Sequence, residues 1–137
     1  MILILDTNVW LDWLLFGDPS VTALKAAVKD GRAEIFIDAA CEAELVRVLA
    51  YDLGKHSIGA EKQAACIAEC RRIAQKTIQD SDLVPDLPRC PDPKDQMFLE
   101  AAAAAKADYL VTKDRHLLDM ARRRLPFRVV QPQFFEA

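Results

Sequence analysis

The sequence predicts an α/β fold: a three-layer α/β/α sandwich with a central, mainly parallel sheet of four to five strands, in a single domain over residues 1–137. Three observations carry this expectation. Four short apolar runs, ILIL at 2–5, EIFID at 34–38, YLV at 109–111 and FRVV at 127–130, are set off by polar residues. Runs this short without alternation read as strands covered on both faces. Between them, apolar residues recur at helical spacing, and strands alternating with helices imply a parallel sheet with helices on both faces. Finally, 137 residues with only 4 Gly and 7 Pro suit one core and long helices better than many short strands.

Each element has its own signal. After Ile2–Leu5, the residues Val9, Trp10, Trp13, Leu14 and Phe16 mark a short amphipathic helix ended by Gly17. Pro19 opens a second helix with Asp18 as its cap, Val21, Leu24, Ala27 and Val28 keep the period, and Gly31 stops it. The strand at 34–38 leads into a helix over 39–53, with Leu45, Val46, Leu49 and Leu53 as its buried stripe and Gly54 as its end. A loop, GKHSIG, precedes a long helix over 60–78, with Ala64, Ile67, Ala68, Ala74 and Ile78 on its apolar side. Pro85, Pro88, Pro91 and Pro93 make 81–93 irregular. DQMFLEAAAAAK at 95–106 is helical by propensity. Asp108 leads into the strand Tyr109–Val111, a helix follows over His116–Arg123, Pro126 breaks it, and Phe127–Val130 is the last strand. The tail QPQFFEA folds back on the core through Phe134 and Phe135. The resulting order is β-α-α-β-α-α-α-β-α-β.

Composition narrows the function classes. With 52% hydrophobic and 28% charged residues, the chain reads as globular and not disordered. A net charge of −3 argues against binding nucleic acid through a broad basic coat, but leaves room for an enzyme whose small acidic site lies beside a local basic patch. Arg122-Arg123-Arg124 is either such a patch or a solvated helix end. Residues 1–15 lack a basic region and a small-residue cleavage site, and no apolar run is long enough to span a bilayer. The expectation is a cytoplasmic protein with no membrane contact. Cys41, Cys66, Cys70 and Cys90 form no C-x-x-C pair, and Cys66 and Cys70, four apart on a helix with no His at ligand spacing, read as small apolar packing residues.

The chemistry-bearing signal begins at Asp6-Thr7-Asn8, where the first strand hands over to a helix. All three residue types cap helices. The same position is also the carboxyl end of a strand, where open α/β sheets hold their ligands. Other acids share that edge. Asp114 follows the third strand after Thr112 and Lys113, Asp95 opens the alanine-rich helix with Asp92 three residues before it, and Glu44 lies early in the helix after the second strand. Each has a bland reading as a cap or a wet helix face. Together they gather at one end of one sheet, where close carboxylates repel and raise each other's pKa. A divalent cation relieves that repulsion, and hard oxygen ligands select Mg²⁺ or Mn²⁺. One or two such ions activate a water against a phosphodiester, with Thr7, Asn8 and Thr112 placed to orient water or a phosphate oxygen. Water activated in this way requires no His, Ser or Cys nucleophile, which matters because His56 and His116 have no clear partners and read as surface residues.

These motifs resemble the PIN-domain family of metal-dependent ribonucleases, and the resemblance covers nearly the whole chain. LILDTNVWL is similar to the family's opening strand, AELVRVL places Glu44 at its helical acid, PDPKDQMFLEAAAAAKADYLVTKDRHLL resembles its C-terminal half with Thr-x-Asp, and FRVVQPQFF resembles its last strand and closing segment. The resemblance implies an acidic quartet of Asp6, Glu44, Asp95 and Asp114, with Asp92 as an outer ligand or a turn-former. It implies a Mg²⁺- or Mn²⁺-dependent endoribonuclease close to the VapC-like toxins of type II toxin–antitoxin pairs. An RNA substrate, a cognate antitoxin and a homodimer or higher oligomer come with it. Lys94, between Asp92 and Asp95, departs from the expected pattern and either binds phosphate or weakens metal affinity.

Two other classes compete. A haloacid-dehalogenase-like phosphatase needs a second Asp two residues after the first, and Asn8 stands there, while a phosphotransfer receiver domain needs its Lys after a later strand than its Asp, and Lys113 precedes Asp114 in the wrong order. A catalytically silent PIN-like binding module needs no acids at all, and four are present. Trp10, Trp13 and Leu14 are either a groove for a partner helix or plain core.

Overall fold

The computed structural model describes residues 1–51, 53, 57–77 and 86–135. Within them a five-stranded sheet runs in the order β3-β2-β1-β4-β5, with every neighbouring pair parallel. The strands are β1 (Ile2–Leu5), β2 (Glu34–Ile37), β3 (Ala74–Lys76), β4 (Tyr109–Val111) and β5 (Arg128–Val130). The α-helices are α1 (Thr7–Leu11), α2 (Thr22–Lys29), α3 (Ala39–Tyr51), α4 (Ala60–Ile73), α5 (Gln96–Ala104) and α6 (Arg115–Asp119). This is the α/β architecture that alternating runs predict.

β1 lies in the middle because it is the most completely apolar run. Leu3, Ile4 and Leu5 are buried from both faces, Leu3 pairing with Ile35 of β2 on one side and with Tyr109 of β4 on the other. From β1 the chain builds outward through β2 and β3, then crosses to build β4 and β5 on the opposite side. The order therefore reverses between β1 and β4. The carboxyl ends of two parallel strands that part in this way leave a crevice between the connections that follow them. At the other end of β1, the Ile2 N–H donates to Asp108 Oδ2 at 2.7 Å, which ties the chain start to the entry of β4.

β3 corrects the expected helix over 60–78. The helix stops at Ile73 and residues 74–76 pair with β2, Ile35 against Ala74 and Ile37 against Lys76. Ala-Gln-Lys has no strand propensity, so tertiary pairing decides its state. The buried positions of α4 are Cys66 and Cys70, with Ile67 and Ile73 partly buried, whereas Ala64 and Ala68 face solvent. Buried Glu42 fastens this edge through ion pairs to Arg71 at 2.7 Å and Lys76 at 3.6 Å.

The first helix also differs from expectation. α1 passes at Leu11 into a π turn, Asp12–Phe16, which ends at Gly17 with φ +59°. The wider turn carries Phe16 off the apolar stripe, and it is 45% exposed. Trp10 is core and Trp13 packs partly buried beside it, with ring centroids 6.2 Å apart. Asp18 caps a 3-10 turn, Pro19–Val21, by accepting from Ser20 N–H at 2.8 Å. The helix expected over 116–123 is a short α6 followed by a 3-10 turn, Met120–Arg122, and Arg122 to Arg124 are exposed. Of the two tail aromatics only Phe135 folds back, meeting Tyr109 edge-on at 5.7 Å, while Phe134 is 68% exposed. Gly54, His56, Ile78 and Pro85 lie outside the described residues.

Candidate active site

Asp6 follows β1 directly, and Thr112 and Asp114 follow β4, so the crevice at the sheet's reversal point receives side chains from both strands. Asp6 is buried. Its Oδ1 accepts from the Val9 N–H at 3.1 Å and caps α1, and its Oδ2 accepts from Thr112 Oγ1. Thr112 is itself fully buried, and its Oγ1 accepts from the Asp114 N–H at 2.9 Å. One hydroxyl thus joins the two strand-end aspartates. Asp114 caps α6 with Oδ1, which accepts from His116 N–H at 2.8 Å and Leu117 N–H at 3.3 Å.

Asp92 and Asp95 arrive on a 3-10 turn, Pro93–Asp95, that precedes α5. Asp92 caps this turn, its Oδ1 accepting from Lys94 N–H at 3.0 Å. Asp95 makes no capping bond although it stands at the N-cap of α5, and its Oδ2 is buried with no hydrogen-bond partner. A buried carboxyl oxygen without a partner costs free energy unless something else meets it.

Glu44 comes from α3. Arg47 one turn later grips it with two bonds, Nε to Oε2 at 3.1 Å and Nη2 to Oε1 at 2.7 Å.

These groups line one cavity of about 420 Å³, whose walls are Asp6, Thr7, Asn8, Glu44, Asp92, Asp95 and Asp114, with Arg47 and Lys94, over Leu11, Val48 and Phe98. Seven of the eight residues singled out in the sequence therefore face the same space. Thr112 is the exception: it is fully buried and outside the lining, with its hydroxyl bonded to Asp6 and to the Asp114 N–H. Helix capping and cavity lining turn out to be compatible at Asp6, Asp92 and Asp114, because a carboxylate has lone pairs enough for both.

The electrostatics follow from this crowding. Burial pushes Asp6 up to about 6, against the relief from Thr112, with the nearby Asp114 charge adding to the rise. Asp95 is pushed up to about 7 by burial and then by the charges of Asp114, Asp92 and Asp6. Both shifts describe carboxylates that lack a counter-charge.

Among the described residues, no three Asp, Glu, His or Cys side chains stand as a ready-made metal cage. The donor chemistry nonetheless fits a hard divalent cation. The residues that line the cavity carry carboxylate oxygens, and two of their oxygens, Asp95 Oδ2 and Thr7 Oγ1, are buried without a hydrogen-bond partner. Asp6, Asp95 and Asp114 are the acids that would hold it. Glu44 would first have to leave Arg47.

Sequence reasoning missed Arg47, although its spacing of three from Glu44 on a helix is the signal for such a pair. It also missed the anchoring of Lys113, which reaches Asp12 at 2.5 Å and Asp18 at 3.8 Å and braces the loop between Thr112 and Asp114. Asp38, buried at the end of β2, caps α3 through Cys41 N–H at 2.8 Å.

Comparison with known proteins gives two findings. The family model of the PIN domain matches residues 3–116. Among solved structures, the crystal structure of VapBC2 from Rickettsia felis, bound to a DNA fragment from its promoter, superposes with a TM-score of 0.63 at 17% identity, covering 94% of this chain and 97% of that one. At that identity the likeness is one of fold. A search of curated proteins by sequence returns no match.

Proposed function

We propose, from the premise that the chain belongs to the PIN-domain family, that it is a Mg²⁺- or Mn²⁺-dependent endoribonuclease, one domain over 1–137, acting as the toxin of a type II toxin–antitoxin pair. The observation that carries the reading is the convergence of Asp6, Asp95 and Asp114 on one cavity at the reversal of the sheet, with Asp95 Oδ2 buried against the neighbouring acids and met by no hydrogen-bond donor. When bound, a divalent cation supplies charge neutralisation at the scissile phosphate and lowers the pKa of water for in-line attack.

The chain's own residues do the rest. Asp6, Asp95 and Asp114 would hold the cation, and Thr112 keeps the first and last of these in register through a single hydroxyl. Thr7 and Asn8 line the wall and present a hydroxyl and an amide to a phosphate oxygen or the attacking water. The burial of Asp6 excludes bulk water from that corner and strengthens every charge interaction in it. Asp92 holds the turn that aims Asp95.

An antitoxin protein, assembly as a homodimer or higher oligomer and a cytoplasmic setting belong to the same reading. The first has the support that the structural relative is a VapBC complex. Among the described residues no helix is long and apolar enough to cross a membrane.

Two observations favour a second reading, a catalytically silent binding module: Glu44 is held by Arg47, and among the described residues no metal cage is preformed. Cleavage of a mixed panel of structured and single-stranded RNA separates the two. Wild type cuts with Mg²⁺ or Mn²⁺ and not with EDTA, and Asp6→Asn folds but loses the cuts by at least about a hundredfold. Equal behaviour of the two proteins moves the silent module to the front.

A further inference from the structure

The cavity that would receive RNA is walled by Asp6, Asp92, Asp95 and Asp114, and a phosphodiester approaching those carboxylates is repelled. Its basic lining residues are Arg47 and Lys94. Lys94 is exposed on the 3-10 turn between Asp92 and Asp95. Arg47 lies on α3, with its guanidinium clasped to Glu44 in a two-bond fork. That pair is accessible, with side chains 49% and 25% exposed. An ion pair so placed is worth no more than about 1 kcal/mol. A phosphate matches the same guanidinium fork as well as a carboxylate does.

We propose that Arg47 is a positioning residue that changes partner on substrate binding: in the free protein it holds Glu44, and in the RNA complex it holds a backbone phosphate together with Lys94, which releases the Glu44 carboxylate toward the cation. The proposal rests on the ribonuclease reading and goes beyond it. It gives the acidic site a way to admit an anion. It also explains why Glu44, alone among the five acids of the cavity, is paired with a cationic side chain that lines the same cavity. By linkage, RNA and cation then each strengthen the binding of the other.

The test is a pair of binding measurements on Arg47→Ala, neither of which reads turnover. In EDTA, a fluorescent single-stranded RNA binds Arg47→Ala about fivefold more weakly than wild type at 0.1 M salt, and the salt slope falls by about 0.7, as for one lost phosphate contact. Arg47→Lys keeps the slope. In the absence of RNA, Mn²⁺ binds Arg47→Ala about two- to fivefold more tightly than wild type, the worth of the freed pair. That gain vanishes when Arg47→Ala is made in Glu44→Gln, because there is then no carboxylate to free. Loss of both affinities marks a merely structural role and overturns the proposal. So does a Mn²⁺ gain that persists in the Glu44→Gln background, or RNA binding that Arg47→Ala leaves unchanged. If wild type neither binds nor cuts RNA under any of these conditions, the ribonuclease reading itself falls, which is a different outcome from wild-type binding that ignores Arg47.

Discussion

The Thr112 hydroxyl shows how much of the site depends on single atoms. It donates to Asp6 and accepts from the Asp114 backbone in a fully buried position. Thr112→Val keeps the shape and removes both bonds, leaving buried polar groups unmet. Its expected cost is about 1–3 kcal/mol in chemical denaturation, with weaker RNA cleavage. A variant as stable and active as wild type would contradict this. The two raised carboxyls make a second prediction at this scale. Asp6 sits at about 6 and Asp95 at about 7, above the ordinary 3.8. Without a cation, the folded protein keeps protons there that the unfolded chain gives up. Their stabilisation is fully present below about pH 4 and lost as pH rises through about 6 to 7. In EDTA, melting temperature therefore falls more steeply for wild type than for Asp95→Asn between about pH 4.5 and about pH 7.5. Parallel curves would contradict the shifts. The individual acids were legible in the sequence because strand ends and helix starts have local signals. Their engagement was not: that Asp95 leaves an oxygen unmet while Glu44 is held by Arg47 depends on rotamers that only the folded chain defines.

Elements carry the site by bringing β1 and β4 side by side, and α5 is what lets them be covered closely. Ala101 and Ala102 are fully buried where α5 packs on β1 and β4. The run AAAAA thus serves two ends, helix propensity and a thin contact face. Ala101→Leu forces extra carbons into that contact and is expected to cost about 1–3 kcal/mol, seen as a lower denaturation midpoint with the slope unchanged. A neutral result would show slack between helix and sheet. ILIL, EIFI and YLV announced their strands because apolar runs bounded by acids have few other uses. Ala74–Lys76 did not, since its state comes from its partner β2. Phe16 was placed on the wrong side because one π turn shifts the helical phase and leaves no mark in composition.

At the scale of the molecule, the reversal of strand order between β1 and β4 explains why acids separated by about a hundred residues share one cavity. That acids at strand ends share one edge was foreseeable from alternation alone, given strands parallel and in one sheet. Which acids converge depends on the crossovers, and the sequence pattern holds no strand order and reads Ala74–Lys76 as helix. The proposed ribonuclease requires that Asp6, Asp95 and Asp114 together bind a divalent cation. The most direct measurement is calorimetric titration of Mn²⁺ into metal-stripped wild type and Asp95→Asn, each first shown to be folded. Wild type is expected to bind saturably, and Asp95→Asn at least about tenfold more weakly. Equal affinity in the two proteins, or no binding by wild type, would contradict it.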